Sequence, residues 1–307
     1  MWKYVARRIA EVVPTTFGIL LLTFLLFNVV GGSPAQTILG KNASAESIAA
    51  FNHKYGYDRP LHRQFVSFAG DLLKGDLGYS IEHSEPVADV LKRGVGPSLS
   101  LTVPILVGGT LVALMLALIA SACRGGTVDK AILIGSTVLM SVNYVVWVLA
   151  GQFLLSYKAG VFPVWGYEGW FYLALPVLIG ILSSLGMDIR FFRTAILDEL
   201  YKPYVLTARA KGLSRAVIMT RHVLRNALIP IVTYISLSIP YLFTGSLLLE
   251  SFFGIPGLGS VSLNAIHSSD MAVVRSVVAL GALLYQFVNL VTDLVYAALD
   301  PRVRLAS

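Results

Sequence analysis

The sequence predicts an all-α membrane protein with six transmembrane helices and a small helical extracytoplasmic segment between the first and second. Three observations carry that expectation. Of 307 residues, 56% are hydrophobic and only 13% are charged, about half the roughly 25% charge of a soluble domain. The apolar residues fall in long blocks, and a bilayer core about 30 Å thick takes roughly 20 residues of helix to cross. Lysine and arginine gather at alternate connections between those blocks, as positive charge does on the cytoplasmic side.

The first block, Ile9–Val30, follows Lys3, Arg7 and Arg8. It exceeds the apolar core of a secretory signal, about 7–15 residues, and runs into a turn-like Gly31-Gly32-Ser33-Pro34 rather than a small-residue cleavage site. Residues 1–30 therefore read as an uncleaved anchor helix. The next blocks are Ser98–Ala122, Ala131–Tyr157, Trp170–Met187, Ile229–Leu249 and Ser276–Leu299. Trp147 lies inside its block as a packing residue, while Trp165, Trp170 and Tyr172 gather at a span end, where aromatic belts form. With the N-terminus inside, 15 of the 24 Lys and Arg fall on inner segments. That bias places both termini in the cytoplasm and divides the chain into the anchor 1–30, an outer segment 31–97 and a five-helix core 98–307.

The outer segment is predicted to fold. Ser44 is placed to cap a helix running toward Tyr55, with Gly56 as its stop. Leu61, Phe65, Phe68 and Leu72 recur at helical spacing. Asp76-Leu77-Gly78-Tyr79-Ser80 breaks the pattern, and Pro86 restarts a short helix to Arg93. The expectation is a helical cap packed on the outer ends of the spans.

Several function classes are excluded early. A net charge of +7 could suggest nucleic acid, but the cations sit at span ends, where topology explains them. One cysteine, Cys123, forms no internal disulfide framework. His53, His62, His83, His222 and His267 are scattered without metal-ligand spacing, so no metal site is expected.

The longest inner segment, 188–228, holds Arg190, Arg193, Lys202, Arg209, Lys211, Arg215, Arg221 and Arg225. Within it, Thr207-Ala208-Arg209-Ala210-Lys211-Gly212-Leu213-Ser214 needs more than a topological reason. Ala208 and Ala210 allow close backbone approach, Gly212 suits a positive φ at a helix end, and Ser214 suits a following N-cap. A short helix, a sharp turn and a second helix result, shaped to sit in a partner's groove.

This stretch resembles the cytoplasmic "EAA" loop of ABC importer permeases, in the version carried by the dipeptide/oligopeptide/nickel transporter family, first-permease type. The resemblance extends along nearly the whole chain: Tyr4 to Arg8 before Pro14, Tyr57-Asp58-Arg59-Pro60-Leu61, Gly75-Asp76-Leu77-Gly78, Arg221 through Pro230, Pro256-Gly257-Leu258-Gly259, and Leu299-Asp300-Pro301-Arg302-Val303-Arg304. Leu206 departs from the general motif's acidic residue, Ser33 stands where the family usually has Asp, and Phe162–Trp170 is shorter than in the family. The resemblance implies a type I ABC importer permease fold in a bacterial inner membrane. It implies a paralogous second permease, two ATPase subunits that carry ATP and magnesium, and an extracytoplasmic substrate-binding protein. Leu206, Thr207, Ala208, Arg209, Ala210, Lys211 and Gly212 would form the helix that docks on an ATPase.

The chain itself has no GxxxxGK[ST] phosphate loop and is expected to be non-catalytic, with no cofactor of its own. Asn143 and Gln152 in the third span and Gln286 and Asn289 in the sixth are candidate pathway liners, and interhelical hydrogen bonding explains each of these four equally well. Pro230, Pro240 and Gly245 interrupt the fifth span, and Ser236 and Thr244 can satisfy the freed backbone groups, as suits a helix lining a moving cavity. Glu11 and Asp293 are acids near inner span ends. An ion-coupled transporter would show inverted repeats and midplane acids, and an intramembrane enzyme a nucleophile with its base; neither set is present. Peptides are the expected cargo, with nickel or a metal chelate as the alternative.

Overall fold

The computed structural model describes residues 2–30, 35–40, 43–239, 242 and 245–299. Ser33, Pro240, Thr244 and the closing motif from Asp300 lie outside them. The chain divides into two compact units: Met1–Pro97 with Phe243–Leu247 and Pro256–Ser307, and a central unit of Ser98–Leu242 with Leu248–Ile255.

The first unit opens with α1 (Trp2–Phe24), continued by a π-helical turn over Leu25–Val30. After α2 (Ala35–Leu39) comes α3 (Ala45–Tyr55), the helix expected from Ser44. The Ser44 side chain accepts from the Ser47 amide, and Gly56 ends the helix at φ 77°, where a side chain would meet left-handed strain. In α4 (Leu61–Leu73), Phe65 sits 5.5 Å from both Phe17 and Phe24 of α1. Helix α4 thus packs on the C-terminal part of α1 through edge-to-face aromatic contacts. Leu61, expected on the same apolar face, stays 51% exposed.

A two-residue hairpin, β1 (Tyr79–Ser80) with β2 (Glu85–Pro86), leads into α5 (Val87–Ala122). The sequence suggested a short helix and then a span from Ser98; one helix runs through both. Proline at position 97 removes one backbone donor without ending it, and the Thr102 hydroxyl supplies an added bond to the Ser98 carbonyl at 2.8 Å. Later in the unit come α13 (Leu258–His267) and α14 (Met271–Leu299). Buried Val87, Leu91, Leu258, Ala265 and Val273 form its core. Asp270, 1% exposed, starts α14 and accepts from Ser80 Oγ at 2.6 Å and from the Glu82 amide at 3.2 Å, fastening the hairpin. Helices α1 and α14 are antiparallel: Arg275 reaches Asn28, and eleven residues on Gln286 donates to Thr15.

The central unit holds the rest of α5, α6 (Thr127–Ser141), α7 (Tyr144–Gly151) with a π-helical turn over Gln152–Lys158, and α8 (Trp170–Leu200). These are followed by α9 (Pro203–Ala210), α10 (Arg215–Val217) with a π-helical turn over Ile218–Val223, α11 (Leu224–Ser236) and α12 (Leu247–Phe253). Helix α8 is the spine. Its Gly186 is the closest approach to α6, where an added Cβ would stand 2.5 Å from the Ser136 carbonyl. Small residues at helix contacts suit a membrane bundle, in which close packing drives association.

Among the described residues four helices are long and apolar enough to cross a membrane: Ala10–Val29, Val87–Ala122, Trp170–Leu200 and Met271–Thr292. A fifth arises if α6 and the helix Tyr144–Lys158 count as one span, although they bend by 88°. The expected third span, Ala131–Tyr157, is therefore broken. The Asn143 side chain accepts from the Val145 amide at 2.9 Å and caps α7, a local competitor to continuous helix. The expected fifth span, Ile229–Leu249, is covered by α11 and the start of α12, with residues between them outside the described set.

Candidate coupling site

The site begins where α8 ends. Glu199, 9% exposed, accepts from Lys202 Nζ at 2.5 Å and from the Tyr204 hydroxyl at 2.8 Å. Burial, and then the bond to Glu199, push the Tyr204 phenol above its ordinary value. These bonds set the corner between α8 and α9. Pro203 occupies the first turn of α9, where its missing N–H costs nothing.

Helix α9 is two-faced. Val205 and Ala208, three residues apart, are 0% and 5% exposed. They pack in a core with Ala113 and Ala117 of α5, Ile189, Phe192 and Ile196 of α8, and Val223 and Ala227 beyond the turn. Leu206, Thr207, Arg209 and Ala210 face outward, Leu206 with 63% of its surface exposed. The sequence suggested that Ala208 and Ala210 together meet a partner. Ala208 instead meets its own chain, because a helix three residues on returns to the same face; its small side chain lets α9 lie close on the π-helical turn over Ile218–Val223.

The end of α9 is closed by two backbone bonds, from the Leu213 amide to the Ala208 carbonyl at 3.3 Å and from the Gly212 amide to the Arg209 carbonyl at 2.9 Å. With Gly212 at φ 76° this is a Schellman motif. Ser214 then caps the next helix, accepting from the Val217 amide at 3.4 Å. Arg215 donates to the Ala122 carbonyl at the end of α5.

A second set of contacts ties α6, α8 and α11 to one another. The Arg193 guanidinium grips Asp129 through Nε and Nη2, each at 2.8 Å, and the Gly125 amide adds a third bond to the same carboxylate. Arg124 stacks over the Tyr201 ring at 4.8 Å. Near the end of α11, Tyr234 donates to Asp188 at 2.9 Å and stacks on Phe191 at 4.4 Å. Helix α9 is thus fixed at its start by the Tyr204 bond to Glu199 and on its inner face by a core, while the neighbouring helices α6, α8 and α11 are tied to one another by polar contacts. None of these partners is visible in local sequence; Asp129 and Arg193 are 64 residues apart.

The polar span residues have mostly found local partners. Asn143 caps α7 as described. Gln152 donates to the carbonyls of Val164 at 2.9 Å and Phe252 at 2.8 Å. The Ser236 hydroxyl bonds back to Val232. Gln286 donates to Thr15, and Asn289 is half-buried. Of the acids near inner span ends, Glu11 is exposed, and a further acid, Glu250, carries no signal in the local sequence. Glu250 is fully buried and accepts from Ser98 Oγ at 2.8 Å.

Matches to known proteins cover nearly the whole chain. Residues 109–305 match the family described as "Binding-protein-dependent transport system inner membrane component", and residues 1–102 match the N-terminal family of such membrane components. The chain is 32% identical over 308 positions to the "Glutathione transport system permease protein GsiC" of Shigella flexneri serotype 5b (strain 8401), covering 99% of each. The proteins of that name from Escherichia coli (strain K12) and Salmonella choleraesuis (strain SC-B67) match at the same identity and coverage.

Proposed function

The chain belongs to the family of binding-protein-dependent transport system inner membrane components, and from that premise we propose that it forms half of a pathway for short peptides. It is a non-catalytic permease subunit of an ABC importer. In the proposed assembly a paralogous permease supplies the other half. Two ATPase subunits bind ATP and magnesium, and an extracytoplasmic protein delivers substrate. The chain crosses the bacterial inner membrane six times, with α11 and α12 contributing the fifth crossing, both termini in the cytoplasm and residues 31–97 outside. The antiparallel contact of α1 and α14 supports termini on one side.

The observation that carries the coupling role is the two-faced α9. Its inner face, Val205 and Ala208, is locked to the core; its outer face, Leu206, Thr207, Arg209 and Ala210, is free for an ATPase. Lys211 and Gly212 complete the turn. When the ATPases close, a helix so fixed carries their displacement into α8 and α11, and a two-state transporter changes its open side. The peptide cargo rests on similarity to permeases named for glutathione, a tripeptide.

Deletion of this subunit should abolish uptake of labelled glutathione and tripeptides through the system while leaving nickel accumulation unchanged. Loss of nickel accumulation with peptide uptake intact would overturn the cargo, though not the permease assignment.

A further inference from the structure

The first unit contains an open pocket of about 570 Å³ lined by α3, α4, the hairpin region and the start of α14. That volume falls within the roughly 300–1,000 Å³ of small-molecule sites. Helix α4 lays two stripes on it at four-residue spacing: Arg63, Ser67 and Asp71, and beside them Gln64, Phe68 and Leu72. The first stripe runs from a cation to an anion. That order opposes the helix dipole, which favours acids in the first turn and bases in the last; α4 has neither. Helix stability therefore does not explain it.

The charges are also available. Arg63 forms no ion pair among the described residues. Arg59 lines the pocket beside it, while the neighbouring acid, Asp58, is held outside by His53 at 2.8 Å. Among the described residues, the one side-chain donor to Asp71 is the Ser67 hydroxyl, at 3.3 Å. At mid-pocket Arg275 lies 5.2 Å over the Phe68 ring and reaches Asn28 at 3.4 Å, with no carboxylate partner among the described residues. Phe51 and Tyr55 add aromatic wall.

From Arg63 to Asp71 is eight residues, about 12 Å along a helix. Three extended residues span about 10–11 Å. We propose that this pocket binds a short zwitterionic peptide, its carboxylate on Arg63 and Arg59 and its ammonium on Asp71. Arg275 donates to the peptide carbonyls between them, and apolar side chains rest on the aromatic wall. The inference rests on the peptide-permease reading and adds to it a holding site on the chain's own first unit.

The test uses the full chain with its partner subunits in lipid nanodiscs, without the binding protein. Saturation-transfer NMR follows titration with Ala-Phe-Ala, its C-terminal amide and its N-acetyl form. Each blocked form should bind about tenfold more weakly, the loss expected for one charge-assisted contact. Arg63→Gln should shrink the difference between acid and amide, Arg63→Gln with Arg59→Gln should erase it, and Asp71→Asn should erase the difference between free and acetylated amine. Absence of Ala-Phe-Ala binding, or equal binding of all three peptides, would overturn the pocket. Uptake of Ala-Phe-Ala by the complete system is scored separately, and only its failure would count against the peptide reading itself.

Discussion

Arg193 holds Asp129 by two parallel bonds of 2.8 Å, joining α8 to the first turn of α6. The Asp129 side chain is 4% exposed and that of Arg193 17%. A bidentate pair of this kind fixes geometry as well as charge. It ties α6 to α8, the helix whose end leads into α9.

Asp129→Ala should therefore weaken the fold. Removing one partner of a fully buried pair costs about 3–5 kcal/mol, and the residual exposure of Arg193 lowers this to roughly 2–3 kcal/mol. Thermal unfolding of the purified assembly should show a lower midpoint, with Asp129→Asn losing less. An unchanged midpoint for Asp129→Ala would show that the pair contributes no stability.

Substitutions on the two faces of α9 should separate. Ala208→Glu forces a larger charged side chain into a core position, where overpacking alone costs about 1–3 kcal/mol, and the level of folded protein should fall. Ala210→Glu and Leu206→Glu should leave folded protein at wild-type level, as detergent gel filtration reads it, while abolishing uptake. Folded, transport-competent Ala208→Glu would contradict the assignment of faces.

Gly212 sits at φ 76°, and a left-handed L-residue costs about 1–2 kcal/mol, least for Asn. Uptake should fall in the order wild type, Gly212→Asn, Gly212→Val. Equal uptake by all three would mean that the turn is not needed for coupling.

The orientation is tested with Cys123→Ser as background. Cysteine at Glu46 should react with an impermeant thiol reagent in intact spheroplasts, and cysteine at Ala216 only after the membrane is opened. The reverse pattern would invert the topology and remove α9 from the cytoplasm.

What the sequence made legible were features encoded within a few residues. Ser44 and Gly56 bracket α3, Gly212 and Ser214 mark the turn after α9, and the apolar blocks locate the long helices. What stayed hidden depends on three-dimensional neighbours. Hydropathy reads Ala131–Tyr157 as continuous because Val142 and Asn143 barely dilute it, yet the Asn143 cap breaks the helix there. Local patterning marked Ala208 as small but could not say that its face is covered by Ile196 and Val223. Glu250 and Asp270 look like ordinary loop acids until their burial beside Ser98 and Ser80 is seen. The charge order along α4 was in plain view, but it acquires meaning only when Arg63 and Asp71 are found lining one pocket.

The central claim is that the outer face of α9 docks on an ATPase while the inner face does not. Site-specific photo-crosslinking in the assembled transporter tests it directly, with benzoylphenylalanine placed at Leu206 or Ala210 and, as the inward control, at Val205. The account predicts crosslinks to the ATPase from Leu206 and Ala210 and none from Val205. Crosslinks from Val205 alone, or from none of the three in an assembly that still hydrolyses ATP and transports peptide, would contradict it.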